Sequence, residues 1–91
     1  EEILYVEALQ NYVTIHTTGQ KYVTYLTFKS VEDYLPPEKF LKVHKSYIVA
    51  ASKIDSMEAG DIRIGHVHIP ISRNQKEDVM DKLLKNRFLK R

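Results

Sequence analysis

The sequence predicts a mostly β domain with one short internal helix and a C-terminal helix. Runs of β-branched and aromatic residues, several with the period-two alternation of a half-buried strand, recur from residue 3 to residue 71 between short turn signals. Sustained helical spacing of apolar residues occurs only after Ser72. The chain of 91 residues is long enough to fold as one domain and too short for two cores.

Three strands are predicted in the first third of the chain. An apolar run covers Ile3 to Ala8, and Gln10-Asn11 breaks it. Alternation from Tyr12 to Thr17 predicts a half-buried strand. Tyr22 to Phe28 predicts its partner in a hairpin, because Thr18-Gly19-Gln20 supplies a turn whose glycine is free to take positive φ.

A short helix is predicted before residue 36. Ser30 with Asp33 three residues on resembles a helix N-cap pairing. Pro36-Pro37 ends the segment, which leaves room for little more than one turn over residues 31–35.

The stretch from Phe40 to Ile54 concentrates positive charge. Lysines stand at positions 39, 42, 45 and 53, and no acidic residue occurs from 39 to 54. Alternation fails after His44, since Lys45 would share a side with Val43. We expect a strand that ends near His44, followed by a turn that lifts Lys45 and Ser46 into solvent. The alternative is an ordinary strand with a solvated lysine face, and charge alone does not separate the two.

Two more turns and a helix are predicted downstream. Ala59-Gly60-Asp61 separates the strands 54–57 and 62–64, and Gly65 precedes a half-buried strand from His66 to Ile71. Ser72 and Gln75 have capping-box spacing, and apolar residues recur at helical spacing from there to Phe88. These residues are Val79, Met80, Leu83, Leu84 and Phe88. The charged end, 85–91, is expected to fray.

Eight large apolar residues of these segments are predicted to form the core. They are Tyr22, Leu26, Phe28, Phe40, Val43, Ile48, Val67 and Ile69.

Composition narrows the function classes. Residues 1–70 carry a net charge of −2 and residues 71–91 a net charge of +4, a segregation that favours an anionic partner. We therefore expect the lysines of 39–53 and the basic end to lie along one side of the molecule. With no cysteine there is no thiolate site, and no apolar run is long enough to cross a bilayer, so a cytoplasmic protein is expected.

Neither a cofactor nor catalysis is predicted. His66 and His68 share one face of a predicted strand, but no third ligand stands at a recognisable spacing, so the histidines are interpreted as surface residues. His44 and Ser46 lack an oxyanion loop, and glycines 19, 60 and 65 are too scattered to cradle a phosphate.

Three blocks of sequence together resemble the LytTR DNA-binding domain, an output module of many bacterial response regulators. They are VEALQNYVTIHT, the LP..F..VHKSYIV run from Leu35 to Val49 with Ile54 after it, and the ISRN of 71–74. The resemblance implies an elongated, nearly all-β fold of small antiparallel sheets. It also implies that loops, not a recognition helix, enter successive major grooves on one side of the duplex.

The resemblance implies base contacts at three loop positions, which fall here on the Asn11-Tyr12 turn, on Lys45 and on Arg73. Lys45 and Arg73 are cations on predicted turns, able to meet guanine or a phosphate. The full set of expected DNA-binding residues is Asn11, Tyr12, Lys42, His44, Lys45, Ser46, Arg73, Asn74 and Lys76.

The sequence departs from the family pattern at three places. A pair of short strands that usually precedes the Ile3 position is absent, so the chain is expected to be a domain lacking its first strands. Ala50-Ala51 stands where an asparagine is common, which removes a side chain that could bond the local backbone. Tyr12 replaces a stronger hydrogen-bonding side chain, and it is expected to stack or to touch a thymine methyl.

Two functions remain open at this point. The first is a sequence-specific DNA-binding output domain, controlled by an N-terminal receiver domain and a cognate sensor histidine kinase, with a homodimer on DNA allowed. The second is a protein-interaction module that uses exposed strand edges and a basic C-terminal helix. Salt separates them, because DNA binding releases counterions and weakens steeply as salt rises.

Overall fold

A computed structural model describes residues 2–58 and 60–85, with the side chains of 84 and 85 left out. The strands are β1 (Ile3–Ala8), β2 (Val13–Thr17), β3 (Lys21–Thr24), β4 (Phe40–His44), β5 (Tyr47–Ala50), β6 (Ser56–Glu58), β7 (Asp61–Ile64) and β8 (Val67–Pro70). The helices are α1 (Phe28–Tyr34) and α2 (Lys76–Lys85), with 3₁₀ turns at Ala51–Lys53 and Arg73–Gln75.

The strands form two antiparallel sheets. Five strands pair in the order β3-β2-β1-β5-β4, and three pair in the order β6-β7-β8. The molecule measures 35 × 28 × 23 Å along its principal axes. The prediction of a mostly β fold with a short internal helix and a C-terminal helix is confirmed.

Alternating residues of the five-stranded sheet feed two separate cores, one on each face. On one face, Val6 and Ile48 pack with Val31 of α1. On the opposite face, neighbours such as Tyr5 and Val49 pack against the three-stranded sheet and α2. The second core is the larger one, and its other buried members are Leu41, Val43, Ala51, Ile62, Ile64, Ile69, Val79 and Leu83.

The β2–β3 hairpin is confirmed, although its second strand is shorter than predicted. β3 ends at Thr24, and Phe28 is the first residue of α1. The turn between the strands is closed by Thr17, whose Oγ1 accepts from the N–H groups of Gly19 and Gln20 at 3.3 and 3.1 Å. Among the three glycines, Gly60 and Gly65 have positive φ and Gly19 does not.

Helix α1 begins three residues earlier than the Ser30 cap predicted. Thr27 is the N-cap: its Oγ1 accepts from the Ser30 N–H at 3.0 Å, which satisfies one of the free donors of the first turn. The helix therefore has seven residues, about two turns. It ends at Tyr34, with Leu35 as its C-cap, before the two prolines, as predicted.

This cap supports a first prediction. Thr27→Ala should lower the free energy of unfolding by about 0.5–2 kcal/mol, because the Ser30 N–H loses its acceptor. Ser30→Ala is the matched control, since the Ser30 hydroxyl is exposed and caps nothing in α1. Urea unfolding of both variants provides the measurement. A larger loss for Ser30→Ala than for Thr27→Ala would show that Ser30 is the cap after all.

Three of the eight predicted core residues are exposed: Tyr22 by 44%, Leu26 by 56% and Val67 by 36%. Tyr22 lies on β3, an edge strand, Leu26 lies in the connection beyond it, and Val67 opens the edge strand β8. Edge positions lack a neighbour on one side, which a period-two pattern alone does not reveal. The other five are buried or packed against a core: Phe28, Phe40, Val43, Ile48 and Ile69.

The predicted capping box at Ser72 is wrong. The Ser72 side chain makes no cap bond, and its N–H donates to the Val43 carbonyl at 2.8 Å, so Gln75 cannot reach back to it. The segment opens as a 3₁₀ turn, and α2 follows from Lys76. Val79 and Leu83 are buried as the helical spacing predicts. The prediction for Phe88 and the fraying end lies outside the described residues.

Candidate nucleic-acid interface

Five strand ends meet at one end of the five-stranded sheet. The registers of the paired strands bring these ends together. Ala8 pairs with Val13, Val13 pairs with Thr24, and Tyr47 pairs with both Glu7 and His44. The connections that leave this end are the β1–β2 turn (9–12), the β3–α1 connection (25–27) and the β4–β5 turn (45–46). We call this end of the sheet, with its connections, the loop end.

The β4–β5 turn holds Lys45 on a fixed base. The Ser46 N–H donates to His44 Nδ1 at 3.1 Å, so the neutral His44 ring carries its proton on Nε2. The Ser46 carbonyl accepts from the Ala8 N–H at 2.8 Å, which ties this turn to the end of β1. Lys45 is exposed and forms no ion pair with any of residues 2–58 and 60–85.

The β1–β2 turn lies directly beside it. The Leu9 N–H donates to the Tyr12 carbonyl at 2.8 Å, which closes the turn. Asn11 and Tyr12 are both exposed at its tip. The sequence prediction that Gln10-Asn11 breaks the strand is confirmed, and the turn follows the end of β1 that the Ala8–Ser46 hydrogen bond ties to the Lys45 turn.

Arg73 reaches the loop end from the other half of the chain. The hydrogen bond from Ser72 to Val43 joins the start of its 3₁₀ turn to β4, two residues before Lys45. Arg73 and Asn74 are exposed, and Arg73 has no ion pair within the described part of the chain. Lys76, the first residue of α2, is exposed as well.

A polar and aromatic network under the loops fixes the strand ends. Glu7 Oε1 lies 3.1 Å from His16 Nε2, and Glu7 Oε2 accepts from the Tyr47 hydroxyl at 3.3 Å. The Tyr5 ring stacks on His16 with centroids 4.2 Å apart, and His44 meets the Tyr47 ring edge-on at 5.6 Å. Three neighbouring strands, β2, β1 and β5, are thereby joined through one carboxylate.

Burial raises the pKa of Tyr47, and the negative charge of Glu7 raises the pKa further. Burial and Glu7 act on the pKa of Tyr5 in the same direction. Both hydroxyls therefore keep their protons at neutral pH. Tyr47 therefore remains a hydrogen-bond donor to Glu7.

The lysines of the 39–53 stretch do not form one compact group. Lys42 lies on the α1 face, 3.9 Å from Glu32 and 5.6 Å from the centroid of the Phe28 ring. Lys53 pairs with Glu2 and lowers the pKa of that carboxyl. The Lys39 carbonyl accepts from the Ala51 N–H, which puts Lys39 at the opposite end of β4 from Lys45, so the whole strand, about 13 Å long, lies between them.

Acidic residues from other elements explain this difference from the sequence prediction. Glu2 and Glu32 are distant in the sequence from the lysines they meet. The described turns of α2 are not basic either, since Lys76, Lys82 and Lys85 are matched by three acidic residues, and the basic excess falls at residues 87–91, outside the described part. Within residues 2–58 and 60–85, Lys45 and Arg73 are therefore exposed cations without an ion pair beside these turns, and Lys76, just after the Arg73 turn, is another.

The histidines are built into the structure more than predicted. His16 and His44 are half-buried parts of the network, not surface residues. His66 lies in the turn before β8, and His68 Nδ1 is 3.8 Å from Asp61 Oδ2. Within residues 2–58 and 60–85, no three metal-binding side chains cluster. No helix in that part is long and apolar enough to span a membrane.

Two features at the loop end escaped the sequence prediction. Glu7 anchors the network, but its partners lie on other strands, so only the register reveals them. Tyr25 is 81% exposed and meets the Tyr12 ring edge-on at 6.1 Å, whereas its run of β-forming residues predicted a strand. The sequence carried one signal for this contact, the predicted hairpin of residues 12–28. The observed register pairs Val13 with Thr24, and one further step along the hairpin joins Tyr12 and Tyr25.

One family model and two relatives match the chain in sequence. The family model of the LytTr DNA-binding domain matches residues 1–84. Sensory transduction proteins LytT of Bacillus anthracis and Bacillus cereus are each 34% identical over 58 residues, which is 64% of this chain and 24% of each relative. The chain thus matches about a quarter of these relatives' length.

The fold has a solved counterpart in the LytTr DNA-binding domain of a Bacillus cereus protein. The two superpose with a TM-score of 0.80 at 17% identity, over 90% of this chain and 81% of that chain.

Proposed function

Because this chain belongs to the LytTr DNA-binding domain family, we propose that it is the sequence-specific DNA-binding output domain of a two-component response regulator. It controls transcription by inserting the connections of the loop end into the major groove of double-stranded DNA. A receiver domain N-terminal to it, phosphorylated by a cognate sensor histidine kinase, regulates the binding, and two copies can bind as a homodimer. The protein acts in the cytoplasm and is not an enzyme.

The observation that carries this proposal is the convergence of the turns at 9–12, 45–46 and 72–74 on one end of the sheet. They come from three distant parts of the sequence, and each holds an exposed hydrogen-bonding side chain. Backbone hydrogen bonds from Ala8, Leu9 and Ser72 fix them. A rigid base with polar, cationic tips suits base reading, which requires donors and acceptors at fixed positions.

The width of the loop end supports contact with more than one groove. β2 and β4 are three strand spacings apart in the sheet order, about 14 Å, and Arg73 lies beside β4. A major groove is about 12 Å wide. The Asn11-Tyr12 turn and Arg73 therefore do not fit side by side across one groove. Entry into successive grooves, with the phosphate backbone between them, accommodates both.

The candidate residues divide by role. Lys45 contacts a base and a phosphate beside it, Arg73 reads guanine through a bidentate fork, and Asn11 and Tyr12 read the neighbouring positions. His44 and Ser46 position Lys45, and Asn74 and Lys76 bind phosphates beside Arg73. Lys42 is offset by Glu32, so its contribution is a weak phosphate contact.

Selection from randomised duplex, followed by sequencing of the bound pool, tests the function directly. Affinity for the selected site should fall by orders of magnitude between low and moderate salt. The protein-interaction alternative, favoured by the exposed edge strand β3 with Tyr22 and Val23, predicts instead that no site is enriched.

Lys45→Ala should weaken binding to the selected site about tenfold and reduce the salt slope by about 1, because one cation no longer displaces counterions. Lys21→Ala is the matched control. Lys21 is an exposed lysine at the far end of the sheet, paired in register with His16. Titrations at several salt concentrations give both quantities. Equal losses for the two variants would contradict a role specific to the β4–β5 turn.

A further inference from the structure

Among the large apolar and aromatic side chains of the loop end, Tyr25 is the most exposed, and the proposed function leaves it unused. It follows β3 directly and is 81% exposed. A tyrosine so placed has two contacts to offer: a ring that packs against an aromatic neighbour and a hydroxyl that donates one hydrogen bond. The ring has such a neighbour in Tyr12, with centroids 6.1 Å apart and planes at 78°.

The connection that carries Tyr25 is held at both ends. The Leu26 N–H donates to Thr24 Oγ1 at 3.1 Å, and Thr27 caps α1 through the Ser30 N–H. A cleft separates this connection from the β1–β2 turn, and residues 8–13 and 25–28 line it. Tyr25 therefore projects from a fixed segment beside a turn that is proposed to enter the groove.

We propose that Tyr25 is a further DNA contact, one that binds the phosphate backbone through its hydroxyl. The inference rests on the proposed function of the loop end. If Tyr12 lies in a major groove about 12 Å wide, a ring about 6 Å to its side meets the wall of that groove, where the phosphates run. Tyrosine hydroxyls are among the donors that proteins direct to phosphate oxygens.

The proposed contact of the Tyr25 hydroxyl is uncharged, whereas Lys45 and Arg73 contact DNA through positively charged groups. Residues 22–28 contain no charged side chain. The tyrosine hydroxyl donates a hydrogen bond without displacing a counterion, so it adds affinity without adding to the salt slope. It also carries no base information and strengthens binding to all sequences alike.

The test compares Tyr25→Phe with Tyr34→Phe. Tyr34 is 89% exposed at the last position of α1, at the other end of the helix from the loop end. Tyr25→Phe keeps the ring against Tyr12 and removes only the hydroxyl. It should weaken binding to the selected site and to random duplex by the same factor, about three- to tenfold, with the salt slope unchanged. Tyr34→Phe should bind as the unaltered chain does.

Three outcomes would overturn the inference. If Tyr25→Phe binds DNA with unchanged affinity, the Tyr25 hydroxyl makes no contact with the DNA. This holds even if Tyr25→Ala binds more weakly through loss of the ring. A changed salt slope, or a loss restricted to the selected site, would contradict a neutral backbone contact.

The Lys45→Ala result separates the two proposals. If that variant weakens binding as expected and Tyr25→Phe does not, the Tyr25 contact fails alone. If the unaltered chain binds no duplex, the proposed function fails and the Tyr25 contact with it.

Discussion

Replacing Leu83 with alanine is expected to lower the free energy of unfolding by about 2–5 kcal/mol. Leu83 is fully buried in the larger core, where it packs α2 against the β strands. Truncation removes apolar contacts and leaves a cavity that the surrounding residues fill only in part. A domain of this size is stable by roughly 5–15 kcal/mol, so a substantial part of its stability depends on this side chain.

Met80→Ala is the matched control, because Met80 lies on the same helix and is 38% exposed. Its loss should be well below that of Leu83→Ala in urea unfolding of the two variants. The Leu83 change should also weaken DNA binding. The 3₁₀ turn that carries Arg73 leads directly into α2. If the helix loses the packing of Leu83, the position of that turn should become less fixed. Equal destabilisation by both changes would contradict the packing described for α2.

The sequence predicts the buried face of α2 correctly because all the apolar residues of that face lie within one helix. Val79 and Leu83 are four residues apart, and that spacing alone puts them on one face. The strands near residues 3–8, 40–44 and 67–70 were predicted for a similar reason, since each pattern lies within a single segment. Features that depend on one segment are the ones that the sequence predicts well here.

Features that depend on several segments were missed or misassigned. Tyr22 and Leu26 were assigned to the core by residue type, but β3 is an edge strand, and the edge becomes visible only with the sheet order. The predicted Ser72 cap failed because Val43, twenty-nine residues earlier, takes the Ser72 N–H. Glu2 and Glu32 neutralise lysines that form an all-basic stretch in the sequence.

The candidate site shows the same division. Lys45 was predicted to be exposed on a turn from a break in alternation, and the structure has it there. Its proximity to Asn11 and to the Ser72 segment came from the family resemblance, because no local pattern joins three distant turns. The hydrogen bonds of Ala8 and Ser72 supply the physical reason: each links a turn to a neighbouring strand end.

Arg73→Ala is expected to separate base reading from general attraction to DNA. Arg73 is exposed and unpaired within the described chain, so its planar fork is free to bind guanine O6 and N7 together. Its removal should cost about 1–3 kcal/mol on the selected site and relax the preference at one base pair. Affinity for random duplex should hardly change, because non-specific binding depends on many phosphate contacts.

Arg63→Ala is the arginine control. Arg63 is exposed on β7, between two buried residues that face the core, so it points outward from the three-stranded sheet. Both variants should stay folded, since surface changes away from caps and core shift stability by about 0.5 kcal/mol or less. Each is titrated with the selected site and with random duplex at one salt concentration. If Arg73→Ala loses the same factor on both DNAs, Arg73 binds a phosphate, and base recognition at this end of the sheet depends on Lys45 and the Asn11-Tyr12 turn.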